Sequence, residues 1–163
     1  MNEYLMSREL KKIYEMLENT TPVLSDCGKI CSSKCCKGDS TDGMLLFPGE
    51  KELFEDKEGF NVYYDERYAC YAVSCNGSCD RKIRPLSCRI FPYFIYIKDE
   101  KSAPVVAPDV RAADYCPLLK DGWQIDRKFL RAMRISAALA EQNHDIKEFL
   151  IYITGLLTDF NSL

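Results

Sequence analysis

The chain has 163 residues, 47% of them apolar and 29% charged, with a formal net charge of −3 and a pI near 5.3. That length buries a real core without covalent staples, and the apolar share excludes a disordered chain. The acidic balance excludes a nucleic-acid-binding domain that works through overall positive charge.

The N-terminus, Met1-Asn2-Glu3-Tyr4, lacks the basic stretch and apolar run of a signal peptide. The longest apolar run, Phe149 to Leu157, contains Thr154 and Gly155. It falls well short of the ~20 residues that span a bilayer. The chain therefore reads as cytoplasmic, where thiols stay reduced, with neither membrane nor nucleic acid among its expected partners.

Residues 3 to 19 form the first expected helix. Met6, Leu10, Ile13, Tyr14 and Leu17 recur at three- and four-residue intervals, with Lys11, Lys12, Glu15 and Glu18 opposite. Thr20-Thr21-Pro22 stops it, because proline disfavours helical geometry in the residue before it. From 23 to 48 the chain reads as loop, rich in Gly, Ser, Asp and Cys. Gly49 to Lys57 reads as a short helix whose acidic residues, Glu50, Glu52, Glu55, Asp56 and Glu58, make a solvated face.

Phe60 to Tyr64 and Tyr68 to Val73 are aromatic and β-branched, and are expected as two strands. Asn76-Gly77-Ser78 is turn chemistry. Arg89 to Lys98 is the strongest strand candidate, with Pro92 confined to its start or edge. Pro104 to Val106 is expected to pair back after the charged turn Lys98 to Lys101. Beyond Cys116-Pro117 the pattern becomes helical. Asp126 caps a helix running to about Glu141 that buries Phe129, Leu130, Met133, Ala137 and Ala140. Asp145-Ile146-Lys147-Glu148 has the form of a capping box. It opens a last helix with Ile146, Phe149, Leu150, Ile153, Leu157 and Phe160 on one face. The expected fold is α+β in one domain, residues 1 to 163. A cysteine-rich, metal-organised part with short antiparallel strands (20 to 118) follows an N-terminal helix and carries a C-terminal antiparallel helix pair (119 to 163).

The chemistry lies in the cysteines. Cys27, Cys31, Cys35 and Cys36 fall within ten residues, and Cys75, Cys79, Cys88 and Cys116 follow. Cys70, between Ala69 and Tyr71, is the ninth and reads as a core residue of its strand. A disulfide framework is disfavoured by the odd count, the missing leader and the adjacent Cys35-Cys36 pair. Metal ligation suits the remaining eight, since thiolates select zinc, copper(I) or iron–sulfur clusters. Gly28, Gly38 and Gly77 allow the backbone to curl around a metal. Lys29, Lys34 and Lys37 flank the first cluster, and Arg81, Lys82, Arg84 and Arg89 surround Cys79 and Cys88. These cations read equally well as compensating charge or as solvated loop charge.

Spacing leaves the metal open. Structural zinc sites favour C-x2-C, whereas this chain repeats C-x3-C at 27/31 and 75/79. A four-thiolate zinc site and a [4Fe–4S]²⁺ cluster carry the same charge of about −2, so electrostatics does not choose between them. A radical S-adenosylmethionine signature, C-x3-C-x2-C, fails because position 34 is Lys. Cys27, Cys31 and Cys35 on one helix would make a single-face stripe, but Gly28 favours a loop or a single distorted turn.

The run ending in Cys35-Cys36, the pair Cys75 and Cys79, the segment Arg84-Pro85-Leu86-Ser87-Cys88-Arg89-Ile90-Phe91-Pro92 and the closing Asp109 to Pro117 together carry a resemblance. In this combination the chain resembles the zinc- or iron-chelating cysteine-cluster family (YkgJ-like, CxxCxxCC) over about residues 26 to 118. In that family the first run usually has one residue fewer in each gap. The resemblance implies metal or cluster binding through Cys27, Cys31, Cys35, Cys36, Cys75, Cys79, Cys88 and Cys116. A similar cysteine domain is associated with flagellin lysine N-methylases, but this chain has no Gly-rich cofactor loop after a clear strand.

Arg84 and Arg89 read as donors to sulfur or, equally, as structural ion-pair residues. Phe91 and Pro92 read as packing. His144, the only histidine, lies between two expected helices and reads as a surface or capping residue. No catalytic residue and no organic cofactor site is expected. The leading expectation is a non-enzymatic protein binding zinc or an iron–sulfur cluster. The alternative is a redox or cluster-dependent enzyme component, for example one linked to protein modification.

Overall fold

A computed structural model describes residues 6–36, 42–77, 80–114 and 116–160 of the chain. Helix α1, Arg8–Leu17, begins where the Ser7 side chain accepts the amide of Leu10 at 3.2 Å. It buries Leu10, Ile13, Tyr14 and Leu17, the stripe expected from their spacing, while Met6 lies outside the helix and is half-buried. Ser7 satisfies an orphan amide and so sets the start at Arg8, while residues 3 to 5 of the expected helix lie outside the described residues.

The cysteine-rich loop contains one short helix, α2 (Gly28–Cys31), then a 3-10 turn at Lys34–Cys36, then a two-residue strand β1 (Met44–Leu45). The periodicity of so short a strand is not readable. Only pairing with a neighbour reveals it. Helix α3, Lys51–Phe54, precedes the hairpin of β2 (Phe60–Asp65) and β3 (Cys70–Cys75). The three strands form an antiparallel sheet in the order β1-β3-β2, with Val62 and Met44 both opposite Val73.

The Arg89 to Lys98 expectation is corrected. Its first part belongs to helix α4 (Leu86–Ile90), and strand β4 (Tyr93–Tyr96) starts only after Pro92. Pro85 precedes the helix with extended geometry (φ −62°, ψ 159°), and Phe91 leaves it at ψ 138°. Proline supplies no amide to a ladder, so the strand waits for Tyr93. Strand β5 (Val105–Pro108) pairs with β4 as the expected return strand, Tyr96 opposite Val105.

After the short helix α5 (Pro117–Lys120) come α6 (Arg127–Gln142) and α7 (His144–Phe160). Asp126 accepts the amide of Lys128 at 2.7 Å and caps α6 as expected. Leu130 is only half-buried, and Ala132 and Ser136 share the buried face instead. The expected capping box at Asp145 is not the device used. Asn143 Oδ1 accepts the amide of Ile146 at 3.0 Å, so α7 starts one residue before Asp145. Exposed His144 is its first residue.

The main core joins α1, α6 and α7 to both sheets through Phe47, Phe94, Ile95, Ile97, Phe129, Met133, Leu150 and Ile153. Helix α1 packs chiefly on α6, and α7 lies against β4, where the Thr154 hydroxyl accepts the Ile97 amide at 3.0 Å. A smaller cluster of Val23, Phe91, Ala112, Cys116 and Leu118 sits apart, and Cys27, Ile30 and Cys35 pack against it. The segments carrying Cys27, Cys35 and Cys116 therefore share a small core of their own, whereas Cys88 lies in α4, whose Leu86 and Ile90 belong to the main core. Among the described residues no helix is long and apolar enough to cross a membrane.

Candidate metal centre

Each described cysteine of the expected set is presented by a tight backbone feature. Cys27 and Cys31 bracket the single turn of α2, where the Asp26 carboxylate accepts the Gly28 amide at 3.1 Å. A side chain at Gly28 would meet the Ser33 hydroxyl at 2.9 Å, a contact that a different Ser33 rotamer relieves. Ser32 and Ser33 then adopt left-handed geometry (φ 53° and 56°) before the 3-10 turn that carries Cys35. This is the single distorted turn anticipated from Gly28, not a helical stripe. Cys75 ends β3 opposite Phe60, and Gly77 (φ 83°) turns the chain away. Cys88 lies in the middle of α4, and Cys116 immediately precedes α5 with Pro117 in its first turn. The side chains of Cys36 and Cys79 lie outside the described residues.

These elements bring the thiols to two adjoining cavities. Cys27, Cys35, Cys75 and Cys88 line one of ≈ 60 Å³, with Met44 and Arg84. Cys27, Cys31, Cys35 and Cys116 line the second, of ≈ 20 Å³. Cys27, Cys35 and Phe91 belong to both. Six cysteines from four stretches of chain thus share one region, and the volumes suit an ion better than the ~300–1,000 Å³ of organic-ligand pockets. Among the described residues no three His, Cys, Asp or Glu side chains converge closely enough to hold a metal ion. No disulfide joins Cys27, Cys31, Cys35, Cys70, Cys75, Cys88 or Cys116.

Electrostatics follows from burial. The Cys27 thiol is pushed above its ordinary value by desolvation, then by Asp26 and Cys31, against the opposing pull of Arg81 and Arg84. Burial likewise raises Cys116, with Cys31 adding to it. Cys70 is half-buried at the start of β3, away from both thiol cavities, and burial pushes its thiol up to about 11. It packs against the main core, as its strand position suggested.

The cations divide into two kinds. Arg81 donates to the Thr20 carbonyl at 2.7 Å, and its guanidinium is destabilised first by burial and then by Arg84. Arg84 faces the larger thiol cavity. Arg89 is structural: it donates to the carbonyls of Arg84 (2.8 Å) and Lys82 (2.7 Å) and lies over the Tyr14 ring at 4.5 Å. Lys29 and Lys34 are exposed. Lys37 lies outside the described residues.

Glu50 corrects the reading of an acidic face. Glu52, Glu55, Asp56 and Glu58 are exposed, but Glu50 is 0% exposed. Its carboxylate accepts from the Tyr14 hydroxyl, from the Leu86 amide (2.7 Å) and from the Phe47 amide (2.7 Å). Through Leu86 it anchors the start of α4, two residues before Cys88. The helical spacing of the acidic residues gave no sign of this, because two of the three donors, Tyr14 and Leu86, lie 36 residues away in sequence.

A third, more polar cavity of ≈ 320 Å³ adjoins the thiols and is lined by Cys35, Met44, Arg67, Tyr68, Phe91 and Arg111 among others. It went unrecognised in the sequence, although Asp65-Glu66-Arg67 and Asp109-Val110-Arg111 repeat the same spacing. No family model, no curated protein and no solved structure matches the chain.

Proposed function

We propose that the chain binds zinc or an iron–sulfur cluster through Cys27, Cys31, Cys35, Cys36, Cys75, Cys79, Cys88 and Cys116, as its resemblance to the CxxCxxCC proteins implies. The observation that carries this reading is that six of these thiols line two small adjoining cavities, although no three of them converge to metal-binding distance among the described residues. Soft thiolates suit zinc or iron–sulfur, and the only histidine lies at the exposed start of α7. Each thiol loses its proton as the metal binds, so ligation and local folding are coupled. Arg81 and Arg84 supply positive charge beside a centre whose net charge would be about −2. No residue is assigned a catalytic role, and the leading role is that of a non-enzymatic metal-binding protein.

The ligand-sized polar cavity beside Cys35 favours one second reading, a redox or cluster-dependent enzyme component. Anaerobic purification followed by elemental analysis and a visible spectrum tests both. Near-stoichiometric zinc or iron is expected, and Cys35→Ala and Cys88→Ala are expected to lower it. Brown protein with broad visible absorbance identifies a cluster, and colourless zinc protein identifies a thiolate zinc site. Folded protein that carries neither metal defeats the proposal.

A further inference from the structure

The exposed face of α6 carries a row of cations that its own helix does not neutralise. Arg127, Arg131, Arg134 and Ala138 follow at four-, three- and four-residue intervals and fall on one line along the helix. Lys128 and Ile135 stand in the adjacent row, and all of these residues are exposed. Among the described residues none of the four cationic side chains enters an ion pair, a hydrogen bond or a ring contact. Helix α6 contains no acidic residue before Glu141, and the Asp126 carboxylate ahead of it is engaged by the Lys128 amide at 2.7 Å.

Helix stability gives no reason for this row. Arg127 and Lys128 stand in the first turn, where the helix dipole disfavours positive charge. Arg127 and Arg131, four residues apart, repel each other as well. In a chain of net charge −3, these cations are gathered on one face. The row ends at Ala138, in the wall of an open cavity of ≈ 350 Å³ between α6 and β5 that Arg134, Ala137 and Pro104 to Val106 complete. Among the described residues no carboxylate lines this cavity. Val105 in its wall and Ile135 on the helix beside it are 58% and 40% exposed.

We infer that this face docks an acidic amphipathic segment of a partner protein, its carboxylates against Arg127, Arg131 and Arg134 and an apolar side chain in the cavity at Ala138. The three arginines span about 10 Å at ~1.5 Å rise per residue, and a partner helix with acids at three- and four-residue intervals has the same period. Guanidiniums match carboxylates in two-point geometry. The cavity decides among anionic partners. It takes a side chain of a docked segment, whereas a lipid headgroup layer or a nucleic-acid backbone would meet the arginines and leave the apolar recess unfilled. Docking here needs no metal at the thiols, so it stands or fails apart from the metal-binding reading.

Fluorescence anisotropy with the purified full chain and a labelled amphipathic helical peptide of Glu, Leu and Ala tests the face, with phosphatidylserine vesicles and duplex DNA titrated at the same ionic strength. Saturable peptide binding that weakens with salt is expected. The same peptide with Gln for Glu, or with Ala for Leu, is expected to bind about tenfold more weakly. Arg131→Glu is expected to weaken binding of the acidic peptide by about tenfold, since like charges then face each other. Arg127→Glu is expected to weaken it similarly with a thermal midpoint no lower than that of the parent, because an acid suits the first turn and pairs with Arg131. No saturable peptide binding, equal affinity for the Gln or Ala peptide, affinity unchanged in either folded variant, or tighter binding to the vesicles or DNA than to the peptide overturns the inference.

Discussion

Glu50 is fully buried and is the residue whose replacement tests the packing behind the thiols most sharply. Burial pushes its carboxyl above the ordinary range, and the donors of Tyr14, Leu86 and Phe47 oppose that push. Glu50→Gln keeps the shape but replaces one accepting oxygen with a donor, which must face a backbone amide or the Tyr14 hydroxyl. A buried donor left without a partner costs about 1–3 kcal/mol, so urea denaturation should show a loss of that size. The expectation fails if Glu50→Gln is as stable as the parent chain. Because the Leu86 amide opens α4, the same substitution should broaden or shift the amide signal of Cys88 two residues on.

Asn143 is where two helices meet, and it serves both. Its amide donates to the Ala140 carbonyl at the end of α6, while its side chain accepts from Ile146 at the start of α7. Its Nδ2 also reaches Glu9 on α1 at 3.4 Å. Loss of such a cap typically costs ~1 kcal/mol. Asn143→Ala should therefore lower the unfolding free energy by about that amount, whereas Asp145→Ala should stay within ~0.5 kcal/mol of the parent. The reverse order would restore Asp145 as the cap. The element scale also explains the split of residues 89 to 98. The aromatic and β-branched content of that run is strand-like throughout. However, Leu86 finds a cap in Glu50 and Pro92 offers no amide, so the front half coils and only the back half pairs.

Across the whole molecule, the main core of α1, α6, α7 and the sheets is separate from the small cluster on which Cys27, Cys35 and Cys116 rest. Metal bound at the thiols would then organise the smaller part while the larger part is held by apolar burial. Chelation should leave most of the helical far-UV dichroism intact and open residues 22 to 36 to protease. Cooperative loss of the entire helical signal on chelation would instead show one unit stabilised by metal throughout.

The amphipathic stripes of α1, α6 and α7 were legible because helical periodicity is local and the buried face repeats every three or four residues. Strands β2 and β3 were legible from their aromatic and β-branched content, although β3 runs two residues later than expected, and the eight cysteines stood out by composition alone. Which thiols meet was not legible, since Cys75, Cys88 and Cys116 reach Cys27 and Cys35 only through folding of the intervening elements. Nor was the burial of Glu50, whose partners Tyr14 and Leu86 lie 36 residues away. The sequence by itself determined the three long helices, two of the strands and a supply of soft ligands, each a property of neighbouring residues. Only the tertiary structure decided the shared cavities and the buried charge, because both arise from contacts between segments that the chain order keeps apart.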